Sequence, residues 1–114
     1  MSTTKSNLKI KQGATYRKKY VWSAGGVPVD MTGWKGRMQI RRETKSKTYI
    51  TELTTENGGI SLTANGEIDL YISDEDTAVF AFEEAVYDLE LVQPDGDVIR
   101  RLEGSVRLSD EVTR

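Results

Sequence analysis

Residues 34–42 alternate strictly: Trp34, Gly36, Met38 and Ile40 fall on one side, and Lys35, Arg37, Gln39 and Arg41 on the other. A period of two places successive side chains on opposite faces of an extended strand, whereas a helix would scatter them around its axis. The same pattern returns in 85–92, where Tyr87, Leu89 and Leu91 share a face, and in 97–108, where Val98, Leu102, Val106 and Leu108 do. Strands with one apolar face must hide it, and two sheets packed face to face do so for all of them at once.

The remaining segments fit that plan. Leu8 and Ile10 alternate with Lys9 and Lys11 in a first strand that Gly13 closes. Residues 14–22 place Ala14, Tyr16, Lys18, Tyr20 and Trp22 on an inner side, with Lys18 near an edge, and Thr15, Arg17, Lys19 and Val21 outside. Gly25, Gly26, Pro28 and the Asp30–Gly33 stretch read as a loop. A polar loop at 43–47 returns the chain as a partner strand over 48–54. Asn57-Gly58 and Asn65-Gly66 each precede an alternating strand, and Asn-Gly marks hairpins because both residues tolerate positive φ. Ser73 suits a helix cap and Asp74, Glu75 and Asp76 a first turn, with Ala78, Val79, Ala81 and Phe82 as a short apolar face. Pro94-Asp95-Gly96 is a turn, and Gly104 marks a bulge in the last strand. The expected fold is all-β: one antiparallel sandwich domain over 1–114, of about eight strands with one short helix near 74–82. The polar termini, 1–6 and 109–114, are expected to be flexible alone. A free first strand could also add to another subunit's sheet edge, which charged residues at Leu8 and Ile10 would disrupt.

Composition narrows the chemistry. There is no Cys and no His, which removes thiolate chemistry, the commonest general base and the commonest metal ligand. Asp74, Glu75 and Asp76 are adjacent carboxylates but read as a capped helix start. Asp95 and Asp97 sit in a turn without the ligand spacing of a calcium loop. Neither glycine pair, Gly25-Gly26 nor Gly58-Gly59, has the Lys or helix of a phosphate cradle. No catalytic residue, cofactor or metal is assigned, and an enzyme is not expected. The apolar runs are short and no hydrophobic signal core opens the chain, so no membrane association is expected.

Charge is the strongest physical lead. Residues 1–47 hold twelve Lys and Arg against Asp30 and Glu43, a net of +10, while 48–114 hold four Arg against sixteen acids, a net of −12. A basic surface of Arg17, Lys19, Lys35, Arg37 and Arg41 could meet an acidic one of Glu67, Asp69, Asp88 and Glu90 on a neighbouring copy. The same charges could instead pair across strands within one molecule. Arg17, Lys18 and Lys19 between Tyr16 and Tyr20 also suit nucleic acid, though the acidic half would repel phosphate. Trp22 and Trp34 are the candidates for a glycan platform, but both fall on inner faces.

The order of motifs resembles small structural proteins of tailed bacteriophages. It runs from Gly13 through the aromatic strand to Trp22, then Gly25 to Pro28 and Asp30-Met31-Thr32-Gly33-Trp34. Arg37 to Arg41, Asn57-Gly58-Gly59-Ile60 and Gly66-Glu67-Ile68 follow, and Ser73 to Thr77, Tyr87-Asp88-Leu89-Glu90 and the Glu111–Arg114 ending complete it. Together these cover nearly the whole chain and are similar to the N-terminal domain of phage baseplate upper proteins and related tail or collar components. The resemblance implies an immunoglobulin-like sandwich and a virion subunit of a tail, neck/collar or baseplate, made in the host cytoplasm. Its partners would be other phage virion proteins and further copies of itself in a ring, with nucleic acid not expected. The sequence ends where the baseplate proteins' fold domain ends, so a free-standing ring, collar or adaptor subunit is expected. The alternative is a small β-sandwich binding module for glycan or nucleic acid.

Overall fold

Turn residues and alternation together set where the strands begin and end. The computed structural model describes residues 3–113. In chain order the strands are β1 (Thr4–Lys5), β2 (Leu8–Lys11), β3 (Tyr16–Val21), β4 (Ser23–Ala24), β5 (Val27–Pro28), β6 (Lys35–Arg41), β7 (Thr51–Thr54), β8 (Ile60–Leu62) and β9 (Glu67–Ile72). Helix α1 (Asp74–Ala78), β10 (Glu84–Val92) and β11 (Val98–Ser109) complete the order. Gly13, Gly33, Gly58 and Gly66, at the turns between strands, all hold positive φ, which a side chain would strain.

The larger sheet runs β1-β11-β10-β6-β7, with β2 also paired to β11, and the smaller runs β3-β9-β8. β4 and β5 form a separate two-stranded hairpin. Pairing is antiparallel except at β11, where β1 and β2 both lie parallel to it. Ile10, Met38, Ile40, Leu89, Leu91 and Val106 of the larger sheet interleave with Ile60, Ile68, Leu70 and Ile72 of the smaller. Burying each such side chain contributes about 1.5–3 kcal/mol before the entropy of ordering is subtracted.

Several expectations change in detail. The first strand is not free: Leu8 and Ile10 are buried in the core beside β11. Parts of both terminal segments are hydrogen-bonded to the sandwich. Thr3 Oγ1 donates to the Arg100 carbonyl, Ser6 N–H to Glu103, and Glu111 N–H to the Gln12 side chain. Met1, Ser2 and Arg114 lie outside the described residues. The return strand begins at Thr51, three residues later than expected, after a longer loop. Ala14 and Lys18 are exposed and Tyr16 and Tyr20 only half-buried, because β3 is the edge of its sheet.

The helix is one turn long. Ser73 caps it by accepting the Asp76 N–H, but Ala78, Val79 and Ala81 are exposed, Val79 at 78%. Phe82 faces inward as expected, and Thr77 and Phe80 join it in place of the other three. The chain leaves helical geometry after Ala78 because burying the two rings, 5.5 Å apart, outweighs a second turn whose nucleus is already costly.

The bulge lies at Arg101 rather than Gly104. Leu89 pairs with Leu102 and Glu90 with Arg100, so Arg101 has no partner and the alternation changes phase there. Leu102, Val106 and Leu108 face the core, while Val98, expected on that face, is 50% exposed and Ile99 turns inward in its place. Gly104 has another role: the Ser6 carbonyl occupies the space its Cβ would need.

Candidate assembly surface

The alternation that buries one face of each strand leaves charges on the other. On the smaller sheet, Arg17 and Lys19 of β3 share an outer face with Glu67, Asp69 and Tyr71 of β9. Lys19 Nζ lies 3.2 Å from Glu67 and 3.9 Å from Asp69. The hydrogen bond to Glu67, then the charges of both acids, raise the Lys19 pKa. Arg17 stacks on the Tyr71 ring, 4.7 Å from its centroid.

On the larger sheet, Lys35, Arg37 and Arg41 of β6 flank Asp88 and Glu90 of β10. Arg37 and Glu90 are directly opposite, with Nε donating to Oε1 at 2.8 Å. Arg41 donates to the Gln39 side chain and the Ser46 carbonyl, and Lys35 reaches Glu56 at 3.7 Å. Asp88 meets Arg100 of β11 at 3.6 Å, yet burial, and then the neighbouring Glu90, raise its pKa.

The nine candidate charges therefore do not form two separate surfaces. Basic strands lie beside acidic ones, β3 against β9 and β6 against β10, so the opposed halves of the sequence meet as alternating stripes on both outer faces. Lys19–Glu67, Lys19–Asp69 and Arg37–Glu90 are pairs within one molecule, and solvent screening at the surface leaves them little weight in stability.

The aromatic candidates are engaged internally. Trp22 is buried, its ring edge-on to the half-buried Trp34 at 6.0 Å. The Arg101 guanidinium lies 4.6 Å over Trp22 and donates to Thr4 Oγ1 at 2.6 Å. Tyr20 Oη is hydrogen-bonded to Ser6 Oγ, and Tyr87 Oη donates to the Ser6 carbonyl. Tyr16 is pushed up to about 12 by burial and then by Tyr20, and Tyr87 is raised above the ordinary tyrosine value by burial first. Stacking platforms for sugars or bases would need open ring faces, whereas Tyr20 and Tyr87 bond Ser6 and Trp22 is covered by Arg101 and Trp34. Among the described residues, no group of three His, Cys, Asp or Glu side chains could hold a metal ion. The Asp95 carboxylate accepts the Asp97 N–H within its own turn. No helix among them is long and apolar enough to cross a membrane.

The sequence reading missed Arg101, whose signal was adjacent apolar residues, Val98 and Ile99, allowing either phase of the last strand. It also missed a groove between β2 and β3 bordered by Lys9, Lys11 and Lys18. Both lysine clusters were visible, but nothing in sequence showed that their strands would border one gap.

No family model matches the chain, and no curated protein does. The chain is similar to a solved structure from a site-directed photo-crosslinking study of the multimeric cell-adhesive interactions of VGSC beta subunits. That likeness covers 94% of this chain and 93% of the other, with a TM-score of 0.50 at 10% identity. At such identity it speaks to fold alone, and with the two-sheet topology it decides the matter. The chain is an immunoglobulin-like β-sandwich. As a sandwich it presents two striped outer faces, a hairpin arm at β4–β5 and the open side between β2 and β3.

Proposed function

We propose that this chain is a non-enzymatic structural subunit of a tailed-bacteriophage virion, incorporated into a tail, neck/collar or baseplate through protein–protein contacts. The observation that carries the reading is the ordered set of motifs spanning nearly the whole chain. Its glycines at 13, 25, 33, 58 and 66 hold positive φ, so the motif order follows the corners of one sandwich. The immunoglobulin-like fold agrees with what the resemblance implied.

Assembly as a homo-oligomeric ring needs one patch to meet a different patch on the next copy. The striped faces supply both signs, and exposed pairs of this kind are cheap to exchange for intermolecular ones. The direct test is immunodetection in particles purified from the source: the chain should band with intact virions at fixed stoichiometry, and its absence from them overturns the reading. Sedimentation of the isolated protein tests the ring, which should appear at low salt and dissociate at high salt. Arg37→Glu with Arg41→Glu should abolish that oligomer while the melting curve stays cooperative. A monomer at every salt concentration removes the self-assembled ring.

A further inference from the structure

The open side of the sandwich carries a feature that the striped faces do not. β3 ends its sheet, and among the described residues no strand pairs with its outer edge. The Trp22 N–H donates to the Gly66 carbonyl, and the register then continues as Tyr20 with Ile68 and Lys18 with Leu70. In an antiparallel pair the groups between those positions point the other way. The backbone N–H and C=O of Arg17, Lys19 and Val21 therefore face outward, unpaired. Across the gap lies β2, whose partner β11 is on its far side. Between the two strands runs a groove of about 400 Å³ bordered by Lys9, Lys11, Arg17 and Lys18.

Among the described residues, these cations lack the carboxylate partners that Lys19, Lys35 and Arg37 have. β2 lies parallel to β11 with Lys9 beside Arg107, a like charge, and Lys11 beside Ser109. Among the described residues no carboxylate is within ion-pair distance of Lys9, Lys11, Arg17 or Lys18, whereas Lys19 has two and Lys35 and Arg37 one each. An unpaired edge and an uncompensated basic groove thus coincide. A second copy of β3 is a poor occupant, because antiparallel pairing would set Arg17, Lys18 and Lys19 against themselves, the usual guard on an edge strand.

We propose that the β2–β3 groove is a docking site for an extended acidic segment of a partner protein, which adds to β3 as a further strand. Main-chain hydrogen bonds to Arg17, Lys19 and Val21 hold the segment. Its carboxylates meet Arg17 on the outer side and Lys18, Lys9 and Lys11 on the groove side. The site rests on this geometry alone and stands whether or not the chain proves to be a virion subunit.

The probe is a capped, fluorescent ten-residue peptide of alternating Glu and Thr, titrated into the intact protein near 100 mM salt. A Lys/Thr peptide of equal length and a single-stranded oligonucleotide are the comparisons. Amide hydrogen exchange should slow at Arg17, Lys19 and Val21 on binding of the Glu/Thr peptide, and the Lys/Thr peptide should not bind. Lys9→Glu with Lys18→Glu should weaken binding at least tenfold with an unchanged far-UV spectrum and melting curve. Lys19→Pro removes an outward N–H without adding negative charge; if it stays folded, it should also lose binding. Lys19→Ala, which keeps that N–H, should bind more tightly than Lys19→Pro. Failure of the acidic peptide to bind at millimolar concentration overturns the site. Equal or tighter binding of the oligonucleotide replaces the peptide with a nucleic acid. Binding lost in the charge variant with no slowing of exchange along β3 rejects strand addition.

Discussion

Arg101 shows how one residue can change the phase of a strand. As the bulged residue of β11 it swings over Trp22, and burial lowers the pKa of its guanidinium. Its Nε is buried with no hydrogen-bond partner, a group that costs free energy wherever it sits. Arg101→Met keeps most of the volume against Trp22 and removes that donor. Its urea-unfolding free energy should stay within about 1 kcal/mol of wild type. Arg101→Ala strips the cover from Trp22 and should cost about 1–2 kcal/mol in the same titration. At Gly104 the constraint is backbone approach. An added Cβ would collide with the Ser6 carbonyl, so Gly104→Ala should cost about 1–3 kcal/mol and speed amide exchange at Ser6. If Ser6 exchange is unaltered, the close approach is not what fixes glycine there.

At the scale of elements, α1 is stabilised by what it touches more than by its own turn. Thr77 is fully buried, donates to the Ala14 carbonyl at 2.9 Å and accepts the Gly13 N–H at 3.1 Å. It thereby ties the helix to the β2–β3 turn. Thr77→Val keeps the shape and deletes both bonds, so a loss of about 1–3 kcal/mol is expected, read as a lower melting temperature. Ser73→Ala removes only the cap and should cost about 1 kcal/mol. A larger loss from Ser73→Ala than from Thr77→Val would place the stability in local helix formation. Strand alternation was legible for β6 and for Tyr87–Leu91 of β10, where charged or polar and apolar residues alternate without a break. It was less legible for β3, where Lys18 and Tyr20 share a face that an edge strand only half buries, and for β11, where the bulge changes the phase.

Across the whole molecule, titration reports on two tyrosines that folding takes out of water, Tyr16 and Tyr87. Tyr16 is raised from 10.0 to about 12, and Tyr87 is raised as well, so the folded chain holds both protons more tightly than the unfolded chain. Their contribution is complete below the unfolded value and is lost as pH climbs through the folded one. The urea midpoint should therefore fall between pH 10 and 12, and Tyr16→Phe should make that fall shallower while leaving the midpoint at pH 7 unchanged. A Tyr16→Phe profile parallel to wild type would show that Tyr16 titrates alike in both states. By itself, the sequence determined the class of fold and the positions of most turns, because period-two alternation and glycines at positive φ act over a few residues. It also determined that opposite charges divide between the two halves of the chain. Only the tertiary structure decided which of those charges cancel. Strand order places β9 beside β3 and β10 beside β6, but leaves β2 beside an arginine-bearing strand and the outer edge of β3 open. Pairing across a sheet joins residues far apart in sequence, and no local pattern encodes which strand will be the neighbour.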